Sequence, residues 1–151
     1  MSVAFERLLQ HLEEYELHFD KDPENETIIA SFRGEVASYR IVGRVEADQD
    51  LFQVFGMIPI RVPNGSRPAV AETITRANFG LKVGKFELDF DDGELRYQAA
   101  HIMSDGTLDG DVIHRLIGTT IAMMDRYLPA ILSVIYGNEP PVDAIRFAEA
   151  D

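Results

Sequence analysis

The residues able to do chemistry fall into three groups. The first is the four histidines, His11, His18, His101 and His114. His11 and His18 share a helical face but stand two turns apart, where a helical metal pair needs a spacing of three or four. No HExxH occurs, and no Asp or Glu joins them in a known ligand pattern, so they are read as packing or surface residues. The second group is an acidic knot, Asp89-Phe90-Asp91-Asp92-Gly93-Glu94, which looks at first like a calcium loop. An EF-hand has Gly at its sixth position and Glu at its twelfth. Taking Gly93 as sixth puts Leu88 first and Ala99 twelfth, so two essential oxygen ligands are missing and the knot is read as a turn. The third group is Arg61, Ser66 and Arg67 at the start of a helix. Free amides and two guanidiniums there could hold an anion. The expected reading is plainer: Ser66 caps the helix and the arginines meet nearby acids.

Nothing else points to catalysis. There is no cysteine, which excludes disulfides, thiolate metal sites and a cysteine nucleophile. No GxSxG elbow or Walker loop occurs, and Ser66 has no readable base partner. Carboxylates are plentiful, but nothing marks a pair with separated pKa values. No catalytic residue, metal ligand or cofactor is therefore assigned.

These residues must be positioned by an α+β arrangement in the order αβββαββα, within a single domain over residues 1–151. Ser2 can cap a first helix in which Phe5, Leu8, Leu9 and Leu12 recur at helical spacing. Residues 20–26, "DKDPENE", read as a loop. Strands follow over Thr27–Arg33, Val36–Glu46 and Leu51–Ile58, joined by short links into an antiparallel meander. The third is apolar on both faces except for Gln53, which suggests a central strand. A second helix starts near Ser66, with Pro68 in its first turn. Beside its core residues runs a small stripe, Ala69, Thr73 and Ala77, that permits close approach. Period-two alternation on both sides of Asp91-Asp92-Gly93 predicts a hairpin. A long third helix then carries Val112 to Ile135, with a kink or break expected near Asp125 because Pro129 removes a backbone donor one turn on. Residues 139–151 are expected to be a partly ordered tail.

The net charge is −12, divided as −7, 0 and −5 over residues 1–50, 51–100 and 101–151. Such a balance repels nucleic acid and anionic lipid and suits solubility or a basic protein partner. The amino-terminal residues carry acids and no apolar signal region, and no stretch approaches a membrane span of about 20 residues, so a cytoplasmic protein is expected.

Three blocks carry a resemblance: "LFQVFGMIPIRVP" (51–63), "RPAVAETITRANFGLKVGKFELDFDDGELRY" (67–97) and "MMDRYLPAILSVIYG" (123–137). In order and wording they resemble the YbjN family, described as bacterial sensory-transduction regulators. The first fifty residues match only in pattern. The resemblance implies a fold similar to the type III secretion chaperones, an antiparallel sheet covered by helices and usually dimeric. It carries over no catalytic residue, and fold alone does not fix function. The expected function is non-enzymatic, chaperone-like or regulatory binding of another polypeptide. The alternatives are a regulator that binds a small anion near Arg61 and Arg67, and an enzyme. A homodimer is also expected. The third helix has more apolar circumference than one core face needs, and the contact is placed on the second helix, at the stripe Ala69, Thr73 and Ala77, and on the Lys85–Tyr97 hairpin.

Overall fold

The computed structural model describes residues 1–150. Helix α1 (Val3–Glu14) begins at Ser2, whose Oγ accepts the Phe5 N–H at 3.1 Å while its own N–H donates to Glu26 at 2.6 Å. Four strands follow: β1 (Phe19–Asp22), β2 (Thr27–Arg33), β3 (Ser38–Glu46) and β4 (Leu51–Arg61). Helix α2 (Arg67–Gly80), the hairpin β5 (Lys85–Leu88) and β6 (Glu94–Ile102), and helices α3 (Gly110–Gly137) and α4 (Pro141–Ala148) complete the chain. The six strands form one antiparallel sheet in the order β1-β2-β3-β4-β6-β5. The class is α+β, as the sequence implies. Two elements depart from its reading. The loop placed at 20–26 contains strand β1, and residues 141–148 of the expected tail form α4.

Alternation decides what the sheet covers. Ile28 and Ala30 of β2, Tyr39, Ile41 and Val45 of β3, Phe52, Val54 and Ile58 of β4, and Leu95, Tyr97 and Ala99 of β6 are buried. They face the helices, so the core is one layer between sheet and helices. Gly56 lies in this layer, and a Cβ there would run into Met124 and Thr120, so the missing side chain lets α3 cross β4 closely.

Helix α3 runs unbroken through Pro129 from Gly110 to Gly137, so the break considered near Asp125 does not occur. The Asp125 side chain instead holds the β2–β3 turn. It accepts the N–H groups of Glu35 (2.8 Å) and Val36 (3.0 Å) and the hydroxyl of Tyr39 (2.7 Å). Helix α4 packs on α2 and α3, with Ala144 and Ile145 buried, Tyr127 donating to Glu149 at 2.7 Å and Arg126 donating to the Ala148 carbonyl at 3.3 Å. The outer edge of β5 is closed by a side chain: Asn78 accepts the Phe86 N–H at 2.8 Å and donates to the Phe86 carbonyl at 3.0 Å.

The acidic knot turns the corner. Gly93 has φ +80°, the Asp89 carboxylate accepts the Asp91 N–H at 2.8 Å and the Asp92 carboxylate accepts the Glu94 N–H at 2.9 Å.

Candidate functional site

All four helices lie on one face of the sheet, and the other face is open. The pairing register arranges its side chains in rows. One row reads Ile29, Val42, Phe55, Gln98, Lys85, and the next reads Ser31, Arg40, Met57, Arg96, Glu87. A third ends in Leu51 and Ile102 beside Glu46. Val42, Leu51, Phe55 and Met57 are half-buried by their neighbours alone, while Ile29 and Ile102 are exposed. Strand β4 is central, between β3 and β6, as its pattern suggests. Its second apolar face is supported by cross-strand neighbours, and Arg96 lies over the Phe55 ring with its guanidinium carbon 4.6 Å from the centroid.

Charge on this face differs from that of the chain. Arg33, Arg40, Arg44, Lys85 and Arg96 are matched by Asp20, Asp22, Glu46, Glu87 and Glu94, and Arg61 by its partner Asp92. The net charge of −12 therefore lies elsewhere. Arg96 pairs with Glu87 at 2.9 Å and Arg44 with Glu46 at 3.4 Å. Among the described residues, Arg33 and Arg40 have no carboxylate within 4.0 Å and no side-chain hydrogen bond.

At one end the face becomes concave. The β3–β4 ladder stops at the Arg40–Met57 pair, and the β4–β6 register shifts between Met57 and Arg61. The strands separate around a groove of about 530 Å³. Its walls include Ser31, Ser38 and Arg40 on one side and Arg61 and Glu94 on the other, with Met57 between. Tyr39 also borders it. Burial, then the hydrogen bond to Asp125, pushes the Tyr39 phenol well above its ordinary value, so it stays a neutral donor.

The residues singled out in the sequence are dispersed. Arg67 is engaged by carbonyls: its Nε donates to Val62 at 3.1 Å and its Nη1 to Phe90 at 2.8 Å. Arg61 instead pairs with Asp92 at 2.9 Å. Ser66 occupies the N-cap position, but its side chain makes no capping bond, because a short 3-10 turn over Asn64–Ser66 leads straight into α2. The small stripe turns inward. Thr73 and Ala77 are buried where α2 packs on α3, α4 and β5, so a twin subunit cannot reach them, and Thr73 Oγ1 donates to the Ala69 carbonyl at 2.8 Å. His11 and His114 come together, rings 6.4 Å apart, with Tyr15 beside both. Burial first, then Arg7 and His114, lowers the His11 pKa against the opposing pull of Glu14. Residue types alone do not bring Ser31 beside Arg40; the signal is the alternation of Val36–Glu46, which sets Ser38, Arg40 and Arg44 on the face opposite Tyr39, Ile41 and Val45.

This architecture, an antiparallel sheet with helices on one face, is that of a known family. A family model described as "Putative bacterial sensory transduction regulator", YbjN, matches residues 4–133, and the chain belongs to the YbjN family. A solved structure with the same fold is described as "Crystal structure of YbjN, a putative transcription regulator from E. coli". It is 12% identical, with a TM-score of 0.58, and the match covers 82% of this chain and 89% of that one. Among curated proteins no match was found.

Proposed function

We propose that this chain is a non-enzymatic regulator that acts by holding another polypeptide against the open face of its sheet. One observation carries the reading: an apolar strip, Ile29, Val42, Phe55, Met57 and Leu51, lies on a sheet face that none of the described elements covers. A regulator that works by association needs such a surface and no reacting groups. The small-anion alternative loses support, because Arg67 is occupied by carbonyls and Arg61 by Asp92.

The test is capture from the native cell with the wild-type chain and with Phe55→Glu, whose side chain is on the open face and should leave the core intact. A partner held by the wild type and lost by the variant, with unchanged circular dichroism, supports the reading. An identical partner set in both removes it. The homodimer stays a proposal on the family's fold likeness alone, since α4 covers part of the apolar surface on α3 that suggested a twin subunit. Light scattering that returns 17.0 kDa at every concentration ends it.

A further inference from the structure

We infer that the polypeptide held on this face is an extended segment carrying carboxylates, and that Arg40 recognises them at the groove between β3 and β4. The inference rests on the proposed function and names its partner's chemistry. Its ground is charge complementarity. In a chain of −12, Arg40 lines this groove without a carboxylate partner within 4.0 Å among the described residues. Arg40 is paired in register with Ser31, and Ser38 lines the same groove, so one guanidinium and two hydroxyls border it. Arg40, Ser31 and Ser38 are all exposed. A carboxylate seated there accepts from guanidinium and hydroxyl together, the charge-assisted geometry that arginine favours.

The remaining groups set the orientation. Glu94, across the groove, repels a ligand carboxylate and confines it to the Ser31–Arg40 wall. Glu87 is neutralised by Arg96, and Asp92 by Arg61. Asp20 and Asp22 sit on β1, the edge beyond β2, and the acids of α1 lie beyond the sheet on the helical side. Salt screens charges separated by more than about 8 Å at physiological ionic strength, so the distant negative charge does not prevent a local contact. Next to the arginine row lies the apolar row Ile29, Val42 and Phe55. A ligand that fits both presents acidic and apolar side chains on one face. In an extended peptide those are alternate residues.

The test uses a fluorescent peptide repeating Leu-Ser-Glu-Ser, which puts Leu and Glu on one face, and its counterpart with Lys for Glu. Anisotropy should show the Glu peptide binding and the Lys peptide not. Arg40→Glu should weaken the Glu peptide by about tenfold or more, Arg40→Lys should retain much of it, and Glu94→Gln should tighten it. Arg146→Glu on α4 makes the same change in net charge away from the face and should have little effect. Equal binding of both peptides, no binding of either, or equal losses in Arg40→Glu and Arg146→Glu would overturn the inference. If the inference fails while Phe55→Glu still abolishes capture from the cell, polypeptide binding stands and only the partner's chemistry is wrong. If Phe55→Glu also leaves capture unchanged, both fail.

Discussion

Gly93 occupies a position only glycine tolerates easily. Its φ is +80°, and a Cβ would strike the Val62 carbonyl, which belongs to the segment whose N–H bonds the Gly93 carbonyl at 2.9 Å. Gly93→Val should therefore cost about 3 kcal/mol, read from the urea midpoint. Asp91→Asn with Asp92→Asn should leave the urea midpoint nearly unchanged, since an amide oxygen still accepts the Glu94 N–H and the Arg61–Asp92 pair is exposed. A large loss in the double variant would give the acids a task beyond turning the chain. His11 makes stability depend on pH. Its folded pKa lies below 6.5, its value in the unfolded chain, so as pH falls through 6.5 toward the folded value the unfolded state binds the extra proton. Stability should decline over that window, and His11→Gln should flatten the decline. An unchanged slope in that variant would remove His11 as the cause.

The β2–β3 turn and α3 are far apart in sequence but joined by one carboxylate. Burial works to raise the Asp125 pKa, yet the hydrogen bonds from Tyr39 and from the N–H groups of Glu35, Val36 and Ala37 outweigh it and leave it lowered. The contribution of the clamp is therefore present above the unfolded value of 3.8 and lost as pH falls through the lower folded value. Asp125→Ala should cost about 2 kcal/mol at neutral pH and little in strong acid, measured by urea melts at both. Local pattern revealed most elements, because Leu8, Leu12, Ile41, Phe52 and Ile131 lie on faces with a clear period. Strand β1 was hidden because Asp20, Lys21 and Asp22 look like a loop, and charged residues on a short strand become a strand only beside β2. Helix α4 was hidden behind Pro140 and Pro141, although Pro141 sits in the first turn, where proline is tolerated. Its absence from the sequence reading left the apolar girth of α3 unexplained, and a twin subunit filled the gap. A chain ending at Asn138 should accordingly melt lower and associate as concentration rises. Full-length behaviour from that chain would mean that α4 covers nothing essential.

Over the whole molecule, charge is segregated: a helical side that carries the excess acid and an open sheet side that is balanced. The groove was not legible because it depends on where the β3–β4 ladder stops, which residue types alone do not state. The two rims of the sheet also differ. On β1 the rim is short and charged, but on β5 a single amide from α2 stands in for the backbone of a missing neighbour. A sheet with two free rims is a monomer unit for a fibre, and Asn78 acts as a chain terminator on one of them. Replacing it by alanine returns the Phe86 N–H and carbonyl to any strand that passes. Asn78→Ala should then give scattering that grows with concentration and time, which Asn78→Gln, if its longer amide still reaches, should reduce. Length of assembly, rather than affinity for a partner, would then be the property this one side chain controls.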